Sequence, residues 1–173
     1  MKLLREILYK VEINSVVGNT SLSINKIEFD SRLISDGDMY IAITGVNVDG
    51  HSFISQAIKN GANCIVCEKI PDNKTDGVVY VNVKSSRKAL AIISSNYFDN
   101  PSSKLNLIGV TGTNGKTTIA TLLFDLYTEL EIKSGLISTV KISYDNKNFQ
   151  ANQTTPDSPV SYTHLRAHET HND

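Results

Sequence analysis

The 173-residue chain carries 17 basic and 18 acidic side chains, and its net charge of −1 makes no electrostatic case for nucleic acid or an anionic membrane. Its 40% hydrophobic and 20% charged content are those of an ordinary soluble globular protein, with room for one large or two small domains. No apolar run approaches the length of a membrane span and the N-terminus lacks a signal-type apolar core, so no membrane partner and a cytoplasmic location are expected.

Leu3, Leu4, Ile7, Leu8 and Val11 recur at helical spacing and predict a short amphipathic opening helix. Residues 24–29 and 39–43 read as strands, separated by a turn at Asp36-Gly37-Asp38. A helix over 51–60 would place Phe53, Ile54, Ala57 and Ile58 on one face, with Gly61 as its stop. Two further strands are expected at 63–68 and 78–83, and Ser85 is placed to cap a helix carrying Ala89, Leu90, Ile92, Ile93 and Tyr97. Strands alternating with helices argue for an α/β domain. The polar, proline-containing stretch Asn100-Pro101-Ser102-Ser103-Lys104 marks a boundary, so residues 1–103 form one domain and a second begins at 104.

The second domain opens on an apolar run (Leu105, Leu107, Ile108) that reads as a strand over 105–110. It leads into Gly109-Val110-Thr111-Gly112-Thr113-Asn114-Gly115-Lys116-Thr117-Thr118 and then into helix-patterned sequence expected to bury Ile119, Leu122, Leu123 and Leu126. Strand, glycine loop and helix in this order form a phosphate cradle. Glycines let backbone N–H groups close round phosphate oxygens, and the helix aims its positive end at the same place. Lys116 would add a cation on the β/γ-phosphates and the Thr117 hydroxyl would ligate Mg²⁺. The usual G-x-x-x-x-G-K-[ST] spacing would need glycine at 110, where Val110 stands, with glycines at 109 and 112 instead. A further strand is expected over 135–140, completing a first βαβ unit. The roughly fifty residues from 104 to 158 are too few for a whole parallel-sheet nucleotide domain, which needs both faces of its sheet covered.

The two cysteines, Cys64 and Cys67, form C-x-x-C. Residues three apart on a strand point to opposite faces, so these thiols are expected to be separate buried hydrophobes and not a metal or redox pair. From Pro159 the composition changes, and three of the four histidines (His164, His168, His171) fall in the last fifteen positions at i, i+4 and i+7. Ligand spacing alone is weak evidence for a metal. The segment 159–173 reads as a foreign, disordered tail, similar to adapter-derived read-through joined to a broken reading frame.

The string 109–118, with its shifted glycines, resembles the ATP loop of the Mur ligases, and related loops occur in folylpolyglutamate and cyanophycin synthetases. Asp30-Ser31-Arg32, the run 37–43 with Gly45, and Asp49-Gly50-His51-Ser52-Phe53-Ile54 followed by Ala57-Ile58 and Gly61-Ala62 resemble, in the same order, the N-terminal domain of the MurE and MurF branches. The resemblance spans about residues 1–158. Thr113-Asn114 and Thr154-Thr155-Pro156-Asp157-Ser158 are more similar to MurE than to MurF.

The resemblance implies a small α/β UDP-substrate domain followed by the start of a P-loop central domain. It implies ATP and Mg²⁺, a monomer, and UDP-N-acetylmuramoyl-L-alanyl-D-glutamate with a diamino acid as partners, meso-diaminopimelate ahead of L-lysine. Amide-bond formation would run through an acyl phosphate in peptidoglycan precursor synthesis. Gly112, Thr113, Asn114, Gly115, Lys116, Thr117 and Thr118 would hold the nucleotide. Ser31 and Asn47 would meet the uridine-diphosphate portion, and Thr154 and Thr155 the N-acetylmuramoyl portion. The metal-binding glutamate, modified lysine and amino-acid pocket of the family match nothing in this sequence, so the chain by itself is expected to be inactive. A MurF-type ligase, or a nucleotide-binding regulatory module without turnover, is the alternative.

Overall fold

The computed structural model describes residues 1–45, 48–144 and 147–150, with Pro159, Ser161, Tyr162 and Leu165. Contacts divide the chain into two compact units, Met1–Asp99 and Asn100–Asp173.

In the first unit β1 (Lys2–Leu3) runs straight into a four-residue helix α1 (Leu4–Ile7). The opening helix is therefore shorter than its apolar spacing suggested. Leu3 pairs with Ser23 of β3 (Ser23–Ile24), and Lys10 turns the chain with a φ of 61°. Leu4, Ile7 and Leu8 still enter the core. The main sheet has the order β2-β7-β6-β5-β4, built from β2 (Ile13–Val17), β4 (Ile27–Glu28), β5 (Asp38–Ile41), β6 (Ala62–Cys67) and β7 (Val79–Val83). Strands β4 to β7 pair in parallel, and β2 closes the edge antiparallel to β7. The single strand expected over 24–29 is split between β3 and β4, with the Asn25 side chain donating to Asp36 O at 2.9 Å where the chain bends.

Side chains alternate across these strands because successive residues point to opposite faces. Met39, Ile41, Cys64, Val66, Val79, Val81 and Val83 meet α1 and α3 (Ser86–Tyr97) on one face. Tyr40, Ala42, Ile65, Cys67 and Tyr80 meet α2 (Ile54–Lys59) on the other. The C-x-x-C thiols are thus divided between the two cores, both free. Burial pushes both up, Cys67 to about 11. The Ser85 hydroxyl caps α3 by accepting from Lys88 N–H. Gly61 ends α2 with a φ of 110°. Phe53, expected on the buried face of that helix, lies instead on the preceding 3₁₀ turn (Gly50–Phe53) and is exposed.

The second unit holds α4 (Lys116–Glu129) and an antiparallel meander of β8 (Gly135–Ile137), β9 (Lys141–Tyr144) and β10 (Lys147–Gln150). Three expectations change here. Residues 105–110 form no strand, since none of the described residues offers them a partner, and Leu107 and Ile108 are exposed. For the same reason Ile119 (51% exposed), Leu122 (62%) and Leu126 (54%) are not buried, and Leu123 is half-buried. The strand expected over 135–140 stops at Ile137, and a turn in which Lys141 N–H donates to Ser138 Oγ at 3.2 Å folds it antiparallel against β9. An open strand takes the neighbour nearest in sequence when no other is at hand.

Asn47, Thr154 and Thr155 lie outside the described residues, as do His164, His168 and His171. Pro159, Ser161, Tyr162 and Leu165 of the segment 159–173 are helical.

Candidate nucleotide and substrate sites

The phosphate loop owes its conformation to two glycines. Gly112 (φ 151°) and Gly115 (φ 76°) lie where L side chains are strained, and Gly115 is the N-cap of α4. No side chain caps this helix, so its first-turn N–H groups face a loop free of competing acceptors from a capping residue. A Cβ at Gly115 would find its nearest neighbour 4.0 Å away, at Ile119 Cδ1, and one at Gly109 nothing within 4 Å. The loop is open where phosphate oxygens would lie.

Lys116 folds back over this space, its ammonium donating to Gly112 O and, at 3.1 Å, to Thr113 O. Gly112, Thr113 and Lys116 are therefore brought together, and Asn114 and Gly115 complete the exposed turn. The half-buried Thr117 hydroxyl lies 3.2 Å from that of Thr139, at the turn following β8, while Thr118 is exposed on α4. The donor set fits a magnesium nucleotide: an open cradle at a helix N-terminus, a lysine ammonium lying over the loop and a hard hydroxyl oxygen on the next residue. Among the described residues no group of three His, Cys, Asp or Glu side chains could hold a metal ion.

In the first unit, Ser31 starts a 3₁₀ turn (Ser31–Leu33) beyond β4 and is buried. Asp30 before it accepts from Arg32 N–H at 3.0 Å and forms a forked pair with the Arg32 guanidinium at 2.7–3.2 Å. That pair, first of all its side-chain hydrogen bonds, holds the Asp30 carboxyl below the usual range. The turn-and-ion-pair geometry thus coexists with a buried serine whose hydroxyl makes no hydrogen bond among the described residues.

A second loop beyond β5 is tied at its base. Thr44 bridges to Asp49, Gly45 N–H donates to Val48 O at 2.9 Å and Gly50 N–H to Ile43 O at 2.9 Å. Asp49 accepts from His51 N–H at 3.0 Å and lies 2.7 Å from His51 Nδ1, while Glu68 N–H donates to His51 Nε2 at 2.9 Å. With Nε2 accepting from Glu68 N–H and Nδ1 facing Asp49, both ring nitrogens are engaged in holding the loop. The backbone hydrogen bond of His51 leads the effects that hold Asp49 below its ordinary value. Tyr40 donates to Gly50 O at 2.9 Å beneath the loop, and burial pushes its phenol up to about 12.

Comparison with known proteins places both regions. Residues 23–98 match the Mur ligase family, catalytic domain, and residues 110–172 match the Mur ligase middle domain. The chain belongs to the Mur ligase family. It is 48% identical over 155 residues to the UDP-N-acetylmuramoyl-L-alanyl-D-glutamate–2,6-diaminopimelate ligase of Cytophaga hutchinsonii, covering 89% of this chain and 32% of that one. The ligase of the same name from Phocaeicola vulgatus is 40% identical over 162 residues, 94% of this chain and 33% of its own. The chain thus spans about a third of the length of these curated relatives. A solved structure of a ligase of that name matches 99% of this chain and 34% of its own, with a TM-score of 0.75 at 21% identity, a likeness of fold. The MurF ligase of Thermotoga maritima, solved in complex with ADP, matches 81% of this chain and 28% of its own with a TM-score of 0.54 at 25% identity. The middle-domain match runs across the segment from Pro159 whose composition stands apart.

Sequence reasoning had no place for Thr139 or Asn60. Thr139 follows a strand expected to run on to 140, which hid it inside an element. Asn60, whose side chain donates to Ser31 O at 2.8 Å, looked only like the end of a helix.

Proposed function

We propose that this chain supplies the nucleotide-sugar domain and the ATP cradle of a MurE-type ligase. That enzyme would join a diamino acid to UDP-N-acetylmuramoyl-L-alanyl-D-glutamate through an acyl phosphate, with Mg²⁺ and ATP. The observation that carries the reading is the pairing, in one chain, of an open glycine cradle holding Lys116 and Thr117 with relatives at 40–48% identity whose names specify that reaction. Those names also favour 2,6-diaminopimelate over lysine and this branch over MurF.

On this reading Gly112 to Thr118 wrap the phosphates, Lys116 moves from its own loop carbonyls to the β/γ-phosphates, and Thr117 ligates Mg²⁺. The bound ion would neutralise charge on the transferring phosphoryl group. Ser31 and Asn47 meet the uridine diphosphate, and Thr154 and Thr155 the muramoyl portion. The domains run 1–103 and 104–158. A cytoplasmic monomer fits soluble precursors, and no helix among the described residues is long and apolar enough to cross a membrane.

Titration with a fluorescent Mg·ATP analogue tests the cradle. Lys116→Ala should weaken nucleotide binding by about tenfold or more while leaving affinity for the UDP-dipeptide unchanged. In an enzyme of the relatives' full length the same change should lower amide formation by about 10²–10³-fold. Undiminished nucleotide binding by Lys116→Ala would defeat the assignment.

A further inference from the structure

The turn that carries Ser31 is gripped from one side, by the C-terminal end of α2. The Asn60 side-chain amide donates to Ser31 O at 2.8 Å, and its oxygen accepts from Gln56 Nε2 at 2.9 Å. The main chain extends the contact. Gly37 N–H donates to Gly61 O at 3.0 Å, and the Asp36 backbone lies 2.7–2.8 Å from where a Gly61 Cβ would be. The buried Asp38 carboxylate accepts from Ser35 N–H at 2.9 Å. The far end of the 31–38 segment is thus held by backbone and by the Asp38 carboxylate, and from α2 the Ser31 end is held by the Asn60 side chain.

That side chain donates and accepts at once, as a carboxamide can. Aspartate would set an acceptor against the Ser31 carbonyl, and alanine would leave that carbonyl without its donor. The Ser31–Arg32 peptide is held at its other end as well, where Asp30 accepts from Arg32 N–H, and the preceding peptide is held through Asp30 O, which accepts from Leu33 N–H at 3.0 Å. With both flanking peptides fixed, the Ser31 hydroxyl keeps one freedom, its rotamer.

We propose that Asn60 is a positioning residue for nucleotide-sugar binding: by holding the Ser31 carbonyl it aims the Ser31 hydroxyl at the uridine-diphosphate portion of the ligand. This rests on the reading that Ser31 meets that portion. The test is calorimetric titration of the 173-residue chain with UDP-N-acetylmuramoyl-L-alanyl-D-glutamate, using Ser31→Ala, Asn60→Ala and the double variant. Each single change should weaken binding about tenfold, the scale of one lost hydrogen bond with its unpaired partner, and Asn60→Ala should cost less than about twofold once Ser31 is alanine. Mg·ATP affinity should not move. No binding by the unaltered chain, or an unchanged Ser31→Ala, would defeat the reading of Ser31 itself. A harmless Asn60→Ala, a full additive loss in the double variant, or a parallel fall in ATP affinity would overturn the role of Asn60. Should Asn60→Ala fail to fold, the exposed Gln56→Ala decides. It should weaken binding about two- to threefold with Ser31 present and not with alanine at 31, and equal losses in both backgrounds would overturn the proposal.

Discussion

Gly61→Ala measures how firmly the end of α2 seats the Ser31 turn. Gly61 has a φ of 110°, and an added Cβ would stand 2.7 Å from Asp36 Cα, 2.8 Å from Asp36 N and 3.1 Å from Ser35 C. All three are backbone atoms, so no side chain can swing aside. Forcing an L residue into left-handed backbone costs about 1–2 kcal/mol, and overpacking of this kind about 1–3 kcal/mol more. The sum, about 2–5 kcal/mol, is a large part of the roughly 5–15 kcal/mol that holds a domain together. Gly77 is the internal control: its φ is 82°, yet an added Cβ would meet nothing within 4 Å. Gly77→Ala should therefore cost only the backbone share, and the entropy an alanine removes from the unfolded chain applies to both variants. Urea unfolding followed through the amide signals of β5 and β6 gives both values. Gly61→Ala should be the worse by about 1–3 kcal/mol. Equal losses would show that the Asp36–Gly37 turn moves freely away from α2, and the seating inferred for Ser31 would fall with it.

Two further predictions concern titratable groups. Both cysteines are free and buried in opposite cores, with Cys67 raised to about 11, so a disulfide-exchange reagent at pH 8 should leave the folded chain unmodified while reacting at once in denaturant. Prompt release of two equivalents from the native chain, or an intramolecular disulfide, would contradict the packing. The Asp30 carboxyl is held low by Arg32, so its contribution to stability is present above its unfolded value of about 4 and is lost as pH falls through the lower folded value. Carbon-detected titration should place its midpoint below that of an ordinary aspartate, and the urea-midpoint gap between the unaltered chain and Asp30→Asn should close as the pH falls below about 4. A midpoint at or above the ordinary value would refute the forked pair.

In the first unit the parallel strands β5, β6 and β7 were legible because their signals are local and agree with one another, whereas β1 and β2 were not anticipated. The apolar runs at 63–68 and 78–83 became β6 and β7 within a residue or two, Ser85 caps the helix it precedes, and Gly61 ends the helix it follows. The opposite facing of Cys64 and Cys67 came from strand periodicity alone. What stayed hidden was set by partners distant in sequence. The opening helix ends at Ile7, ahead of Lys10 with its φ of 61°, while Leu3 pairs with Ser23, and no local pattern marks Asn60 as the donor to a carbonyl 29 positions away. Ser31 itself was picked out by resemblance; that it is buried, with a fixed carbonyl, required the fold.

The second unit separates what glycine determines from what a sheet determines. The cradle keeps its form although the strand before it is not made, because the left-handed residues Gly112 and Gly115 and the fold-back of Lys116 onto Gly112 and Thr113 are interactions within five positions. The strand at 105–110 and the apolar face of α4 have no such local support. A strand exists only as half of a pair, and Ile119, Leu122 and Leu126 are buried only when a sheet lies beneath them. Binding and turnover should therefore respond differently to the same loop. Enclosing phosphate oxygens needs the glycines, the helix end and one cation. Holding the reacting groups in line needs the loop fixed against a sheet, because phosphoryl transfer depends on positioning as much as on charge. Nucleotide affinity is thus a property to seek in this chain, and the rate of amide formation a property to seek where α4 is covered.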